Sequence, residues 1–228
     1  MSASSHSFPK LPPSPDVLGE LLHSLSQPLT SLRCSLELSI GEVAEQQQEG
    51  VAIALQQTEK VIGMIQLMRE YLDAEQPVPE AFSSALAPVT RRVIEELSSI
   101  AVVRGVELRL VGTCSATMPV PESRLQLALQ YLIATVIEAQ PVGGKVMLLL
   151  GEGPAGAVLR GEGEPGFRDP SFRGPSFLDP SGPTTTLRRV KLAIASRVFE
   201  NAGASLVFGN VGLAGFVLRI PRRFGAPT

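Results

Sequence analysis

The sequence predicts an α+β protein in which two long helices precede a layer of helices packed on a mostly antiparallel sheet. Two observations predict this order. Over the first third of the chain, apolar residues recur at alternating spacings of four and three, which is typical of a helical bundle. After a proline-containing break at residues 76–79, helical patterns alternate with short apolar runs of strand character. Helices on one face of such a sheet form an α+β sandwich.

Composition and charge exclude several classes of protein. The 228 residues are 44% hydrophobic and 18% charged with a net charge of -2, which is unlike an electrostatic binder of nucleic acid. The two cysteines, Cys34 and Cys114, are too few for a disulfide framework or a metal site, so we expect reduced thiols. No apolar run is long enough for a membrane-spanning helix, for which about 18 residues are needed. We therefore expect a cytoplasmic protein that contacts neither nucleic acid nor membrane.

The chain is predicted to begin with a disordered leader. Residues 1–15 are rich in Ser and Pro and lack the apolar core of a signal peptide. A helical hairpin is then expected over residues 16–76. Its first helix runs over 16–45 with Asp16 as N-cap, a polar turn follows over 45–50, and the second helix runs over 51–74.

The two helices carry narrow apolar seams that a lone hairpin leaves exposed. The first seam consists of Leu18, Leu22, Leu25, Leu29, Leu32, Leu36 and Val43. The second consists of Val51, Ala54, Val61, Ile65, Met68 and Leu72. A homodimeric four-helix bundle would bury both seams. The alternative is a hairpin packed on the rest of its own chain.

The second part of the chain is predicted over residues 80–228. Hydrophobic periodicity places helices over 86–103, 122–139 and 187–201. Strands are expected over 106–111, 145–150, 155–160, 205–208 and 215–220, with a short extended piece over 116–120.

His23 is the candidate reactive group of the first helix. When Leu22 and Leu29 occupy a positions of the heptad, His23 occupies a b position and faces water. Pro28 lies one turn further on and is predicted to kink the helix. A solvent-facing imidazole is a nucleophile near neutral pH, whereas the alternative is an ordinary surface histidine.

The segment from His23 through Gln27 to Pro28 resembles the H-box of histidine-kinase dimerisation helices. The resemblance implies that His23 is the phosphoacceptor and that Gln27 and Pro28 belong to its catalytic motif. The family's acidic residue directly after the histidine is Ser24 here, and its absence argues against autokinase activity. Ser24 and Arg33 are then expected beside a docked receiver domain.

The order of elements after residue 80 resembles the ATP-binding domain of histidine kinases. Residues 125–139 are similar to the N-box helix of that domain, and residues 192–204 to its last helix and glycine stop. The resemblance covers nearly the whole chain after residue 15. It implies a two-helix hairpin forming a dimeric four-helix bundle, followed by a Bergerat-type (histidine kinase ATPase-like) α/β sandwich.

The nucleotide motifs of that family carry other residues here. The N-box asparagine that holds Mg²⁺ is replaced by Thr135, and an upstream asparagine by Tyr131. In the stretch that matches Asp-x-Gly-x-Gly, Glu162 replaces the aspartate and Gly166 is the retained glycine. We therefore interpret Thr135, Glu162 and Gly166 as a degenerate nucleotide site.

The Gly-x-Gly motif before the last helix is replaced by Arg189-Val190-Lys191. We interpret Arg189 and Lys191 as a solvated helix face, with cationic phosphate binding as the alternative. Losses at the metal, adenine and phosphate contacts together predict a domain that kept the fold and lost ATP. No cofactor and no metal of its own are expected.

A threefold Phe-x-x-Pro-Ser repeat over residues 167–181 takes the place of the ATP lid. Its Pro and Gly residues exclude a long helix or strand. The phenylalanines are interpreted as a cap on the vacant cleft, and the alternative is a partner-docking loop.

These patterns predict a histidine-containing phosphotransfer protein of a two-component phosphorelay. As a homodimer, it would exchange a phosphoryl group between His23 and the receiver-domain aspartates of response regulators. One alternative is a pseudo-histidine-kinase adaptor without catalytic activity. A second alternative is an active sensor-type histidine kinase.

Overall fold

The computed structural model describes residues 17–39, 44–77, 82–163, 183–208 and 215–222. The helices in these ranges are α1 (Val17–Ser39), α2 (Ala44–Glu75), α3 (Leu86–Val103), α4 (Glu122–Glu138) and α5 (Pro183–Asn201). The strands are β1 (Ser84–Ala85), β2 (Glu107–Gly112), β3 (Thr117–Met118), β4 (Lys145–Gly153), β5 (Gly156–Gly163), β6 (Ser205–Phe208) and β7 (Gly215–Pro221). The leader, Asp16, Gly166 and the Phe-x-x-Pro-Ser repeat lie outside the described residues.

The strands form a mixed sheet, mostly antiparallel, as the sequence predicts. Its order is β2–β4–β5–β7–β6, and β1 and β3 pair separately. Strands β2 and β4 are parallel, with Glu107 opposite Lys145, so α4 forms part of the crossover between them. The remaining pairs of this sheet are antiparallel, and Leu159 of β5 lies between Leu150 and Leu218.

One face of the sheet is covered by helices, and the other is largely open to solvent. Along β4, Val146, Leu148 and Leu150 are buried, whereas Met147 between them is exposed. The alternation follows from the strand period of two residues. The largest fully buried side chains on the helical side include Phe199, Phe216, Leu97, Leu129, Leu132 and Ile133.

The α+β fold class is confirmed, and most predicted elements agree closely with the observed ones. Helix α3 begins and ends at the predicted residues, because its buried residues recur every three or four positions. Helix α5 begins at Pro183, earlier than the predicted residue 187. Helix α2 ends at Glu75, beside the proline-containing stretch 76–79. None of the helices in the described ranges is long and apolar enough to cross a membrane.

The predicted break between the first two helices is wrong. Helix α1 ends at Ser39 rather than 45, and α2 begins at Ala44, so the polar run 45–50 is helical rather than a turn. Gln and Glu are good helix formers, and a solvent-exposed helix tolerates a polar run. The polarity of residues 45–50 was therefore not sufficient to predict a loop.

The predicted seam of α1 is partly open to solvent in a single chain, as the sequence predicts for a hairpin on its own. Helix α1 buries Val17, Leu21 and Pro28. The predicted seam residues Leu22, Leu29 and Leu36 are 49%, 44% and 48% exposed. The helix continues through Pro28, and the kink predicted there stays a prediction.

A second apolar surface, here called the open stripe, runs along both helices of the hairpin. It consists of Leu22, Leu29 and Leu36 on α1 and of Val51, Leu55, Ile62, Ile65 and Leu72 on α2. At about 100° per residue, the open stripe on α1 lies roughly a quarter turn from the buried Val17, Leu21 and Pro28. On α2 it lies nearly opposite the buried Leu67 and Ala74. Each helix therefore has a second apolar face, as the helices of a four-helix bundle do.

The two cysteines should differ in reactivity towards a thiol reagent at pH 8. Cys34 is exposed on α1, whereas Cys114 is half-buried and burial raises the pKa of its thiol. The nearby Glu152 carboxylate raises this pKa further, against a lowering by a backbone hydrogen bond at Ala116. Because the thiolate is the reactive species, Cys34 should react about tenfold faster or more.

Ellman's reagent with the single variants Cys34→Ser and Cys114→Ser measures each rate separately. Equal rates for the two thiols would contradict the placement of Cys114.

Candidate functional site

His23 lies exposed on α1, as the heptad position predicts, on a shallow and nearly flat strip of that helix, which we call the groove. The other residues of the groove are Ser26, Gln27, Thr30 and Ser31. They follow His23 by three, four, seven and eight positions, the spacing at which side chains share one helix face. The groove therefore belongs to α1 itself.

Hydroxyl groups in the groove are held by the helix backbone. Ser26 Oγ donates to the carbonyl of Leu22 at 3.0 Å, and Thr30 Oγ1 donates to the carbonyl of Ser26 at 2.8 Å. Their protons are used within the helix, so the oxygens face the groove as acceptors.

The predicted site residues separate into two groups. Gln27 lies with His23 in the groove, whereas Pro28 is buried on another side of α1. Ser24 is half-buried and does not line the groove. Arg33 is exposed and forms an ion pair of 2.7 Å with Glu37. The sequence interpretation missed Ser26, Thr30 and Ser31, although their helical spacing from His23 was a readable signal.

The position that matches the N-box asparagine does not fit a magnesium ligand. Thr135 is 2% exposed, and its hydroxyl donates to the carbonyl of Tyr131 at 2.6 Å within α4. Mg²⁺ needs oxygen ligands that are free to enter an octahedral shell with water and phosphate. A buried hydroxyl engaged with its own helix does not offer that.

The upstream position, Tyr131, contacts the hairpin. Its hydroxyl donates to the Glu70 carboxylate of α2, and the Lys191 ammonium lies 5.5 Å from the centre of its ring. Burial, followed by the hydrogen bond and the negative charge of Glu70, raises the pKa of Tyr131. The phenol is therefore held protonated as a donor.

Arg189 and Lys191 do not form a solvated helix face, which corrects the sequence interpretation. Both residues are partly buried. The Arg189 guanidinium lies 3.3 Å from the Glu20 carboxylate of α1, and Lys191 lies over the Tyr131 ring. Tertiary contacts, which the local sequence does not reveal, place Arg189 against the hairpin and Lys191 against Tyr131 of α4.

Glu162 faces away from the helices. It lies on β5 and pairs with Arg160 on the same face, opposite the exposed Met147 of β4. Gly163, the next residue, faces the helical layer, and a Cβ there would lie 1.9 Å from Gln140 Nε2 of the segment after α4. The structure therefore does not bring Glu162 and Thr135 together.

The described residues contain no group of three or more His, Cys, Asp or Glu side chains arranged to hold a metal ion. Gly166 lies outside the described residues. In the described residues, the side chains at the matching positions of α4, α5 and β5 contact other side chains or backbone of the same chain.

Comparison with solved structures assigns the architecture. The Acinetobacter baumannii histidine kinase AdeS has a TM-score of 0.61 and 17% identity, over 87% of this chain and 97% of that one. The fold is histidine-kinase-like. Full-length ShkA, solved in complex with AMPPNP, has a TM-score of 0.55 and 20% identity, over 92% of this chain and 46% of its own. Both likenesses extend over the hairpin as well as the ATPase-like sandwich.

No protein-family model and no curated protein sequence matches this chain. At these identities the structural likeness establishes the fold, and the chemistry depends on the residues of the site itself.

Tyr131 should titrate at unusually high pH. The chain contains two tyrosines and no tryptophan, so phenolate absorbance near 295 nm is simple to follow. Subtracting the curve of Tyr131→Phe from that of wild type isolates Tyr131, whose midpoint should lie well above the ordinary value of about 10. The preference of the fold for the protonated phenol contributes stability below pH 10, and this contribution is lost as pH rises further.

A difference curve with its midpoint near 10 would contradict the buried Tyr131–Glu70 contact. Far-ultraviolet circular dichroism at each pH distinguishes titration in the folded protein from unfolding.

Proposed function

We propose that the protein is a histidine phosphotransfer protein of a two-component phosphorelay. One observation carries the proposal: His23 is exposed in a groove with Gln27, while residues matching the nucleotide contacts are engaged with the hairpin. A phosphoryl group that arrives from a receiver domain needs no nucleotide on this chain. The proposed partners are response-regulator receiver domains in the cytoplasm.

The proposed reaction is transfer between an aspartyl phosphate and the His23 imidazole. The unprotonated ring nitrogen attacks phosphorus in line with the aspartyl oxygen, as a nitrogen–phosphorus bond forms and the oxygen–phosphorus bond breaks. The electron pair of the broken bond returns to the aspartate as carboxylate. The ring gains positive charge, which is relieved as solvent accepts the proton of its other nitrogen. The reverse step passes the group to another receiver.

The groove suits such a transfer because it presents the imidazole without covering it. Gln27 lies one turn after His23 and supplies amide donors for phosphoryl oxygens. The serine and threonine oxygens line the rest of the groove. The acidic, Mg²⁺-binding chemistry belongs to the receiver.

A pseudokinase adaptor is the second candidate function. Ser24 stands where the family has an acidic residue, which favours a chain that binds receivers without accepting phosphate. An active autokinase ranks below both candidates, because Thr135, Arg189 and Lys191 are engaged in contacts within the chain.

Phosphoryl transfer to His23 is the first test of function. Phosphorylated receiver domains carrying a radioactive label would be offered to wild type, His23→Ala and His6→Ala. Wild type and His6→Ala should become labelled at equal rates, whereas His23→Ala should lose at least about a thousandfold in rate. His6→Ala is the matched control, because it removes the other histidine of the chain.

Labelled ATP in parallel separates the three functions. Label from receivers alone supports the phosphotransferase, and label taken directly from ATP would establish the autokinase instead. A wild type that binds receivers but takes no label from either source would leave the adaptor.

We also propose that the open stripe forms the homodimer interface of a four-helix bundle. Leu29→Lys or Ile62→Lys should weaken the dimer by about two orders of magnitude, because each would bury an unpaired charge. Light scattering after size exclusion measures the mass against the 24.2 kDa of one chain. Cys34→Lys adds the same charge to an exposed position of α1 outside the open stripe.

Transfer should fall together with dimerisation in the Leu29→Lys variant, whereas His23→Ala should remain dimeric. A monomeric wild type, or a monomeric His23→Ala, would overturn this use of the open stripe.

A further inference from the structure

The base of the hairpin shares its core with the sandwich. Val17 and Leu21 of α1 and Leu67 and Ala74 of α2 are buried in the same apolar cluster as Phe199 of α5. Helices α1 and α2 both contact α5. No polar layer separates the two parts of the chain at this point, so one continuous core holds them together.

Polar contacts surround this apolar base. Arg124 of α4 donates two hydrogen bonds of 2.8 Å to the Asp73 carboxylate and a third, of 3.2 Å, to the Gln76 carbonyl. Arg197 of α5 pairs with Glu75 at 3.0 Å. The two-bond geometry fixes direction as well as distance, so it orients the end of α2 on α4.

Further contacts with the hairpin come from the positions that match nucleotide-binding residues. Tyr131 donates to Glu70, Lys191 lies over the Tyr131 ring, and Arg189 pairs with Glu20. We refer to the pairs Arg124–Asp73, Arg197–Glu75, Tyr131–Glu70 and Arg189–Glu20 together as the hairpin latch. The nucleotide-matching residues of α4 and α5 therefore contact other helices of the same chain.

We propose that this face of the sandwich has become a permanent docking surface for the hairpin, and that Arg189 is a positioning residue for His23. Arg189 holds Glu20, one helical turn before His23, and Leu21 beside it is fully buried. The turn that leads into His23 is thus fixed from α5. The positioning role depends on the proposed phosphotransfer, whereas the docking role does not.

The exposure of His23 indicates whether docking should raise or lower the rate of phosphoryl transfer. In the docked arrangement Leu21 is buried while His23, two residues later, is open to solvent. Docking therefore orients the imidazole without covering it. The docked state is the transfer-competent state, and the latch supports activity rather than inhibiting it.

Charge reversal tests the latch in the full-length chain. Arg189→Glu places two carboxylates opposite each other, and Glu20→Arg combined with Arg189→Glu restores the pair with its signs exchanged. Arg92→Glu is the matched control, since it breaks the exposed Arg92–Glu122 pair between α3 and α4 and leaves the latch intact. Circular dichroism of each variant checks that it is folded, and Tyr131→Phe provides a milder second variant.

Amide hydrogen exchange read by mass spectrometry measures docking without any receiver. In Arg189→Glu, residues 17–24 should exchange about tenfold faster than in wild type, while β4 and β5 remain unchanged. The double variant Glu20→Arg with Arg189→Glu should restore slow exchange at residues 17–24. Arg92→Glu should leave the exchange of these residues as in wild type. Unchanged exchange in folded Arg189→Glu and Tyr131→Phe would overturn the proposal that the latch secures the docked hairpin.

Transfer kinetics test the positioning role. The kcat of transfer from a phosphorylated receiver should fall about five- to tenfold in Arg189→Glu, with KM little changed. It should recover in the double variant Glu20→Arg with Arg189→Glu. The positioning role would be overturned if Arg189→Glu shows faster amide exchange at residues 17–24 but transfers phosphate at an unchanged or higher rate. If wild type accepts no phosphate at all, the proposed function fails, and the exchange data still decide whether the latch exists.

Discussion

The burial of Leu21 against the sandwich is the contact on which the arrangement of this chain depends. A fully buried leucine contributes about 1.5–3 kcal/mol, whereas an exposed ion pair contributes about 0–1 kcal/mol. Apolar burial at the hairpin base therefore drives docking, and the surrounding ion pairs select the orientation. Because His23 follows Leu21 by two positions on the same helix, the burial of Leu21 also fixes where the His23 imidazole lies.

The fold of the α/β sandwich depends on its apolar core, to which side chains such as Leu129 and Phe199 contribute. Tyr131, Arg189 and Lys191 lie on the surface of that scaffold, so they could change without loss of the core. Their size and charge match the hairpin, which offers Glu20 and Glu70 at the contact.

The sequence predicted most elements of the sandwich because hydrophobic periodicity is a local signal. It placed His23 in solvent for the same reason, since the heptad fixes the angle of a residue on its helix. It misplaced the start of α2, because a run of Gln and Glu has the composition of a loop and the propensity of a helix. It did not reveal the second apolar face of α1, where Leu21 packs into the core of its own chain, because the seam pattern alone does not show what covers each face.

The nucleotide-matching residues show a second limit on what can be predicted from the sequence. Strand β5 continues to Gly163, so alternation from the buried Leu159 turns Glu162 away from the helical layer. The strand period is a local signal and is sufficient to predict this orientation. The pairing of Arg189 with Glu20 could not be predicted in this way, because it joins the last helix to the first and depends on the docked fold.

The contact between α1 and α5 also affects how the chain is made. Glu20 leaves the ribosome before Arg189, so their ion pair forms only after the residues between them have been synthesised. At the usual rate of synthesis this delay is on the order of ten seconds. Arg124 and Tyr131 of α4 emerge earlier, so contacts of α2 with α4 can form before those of α1 with α5. During that interval the face of α1 that carries Leu21 still lacks its cover from α5.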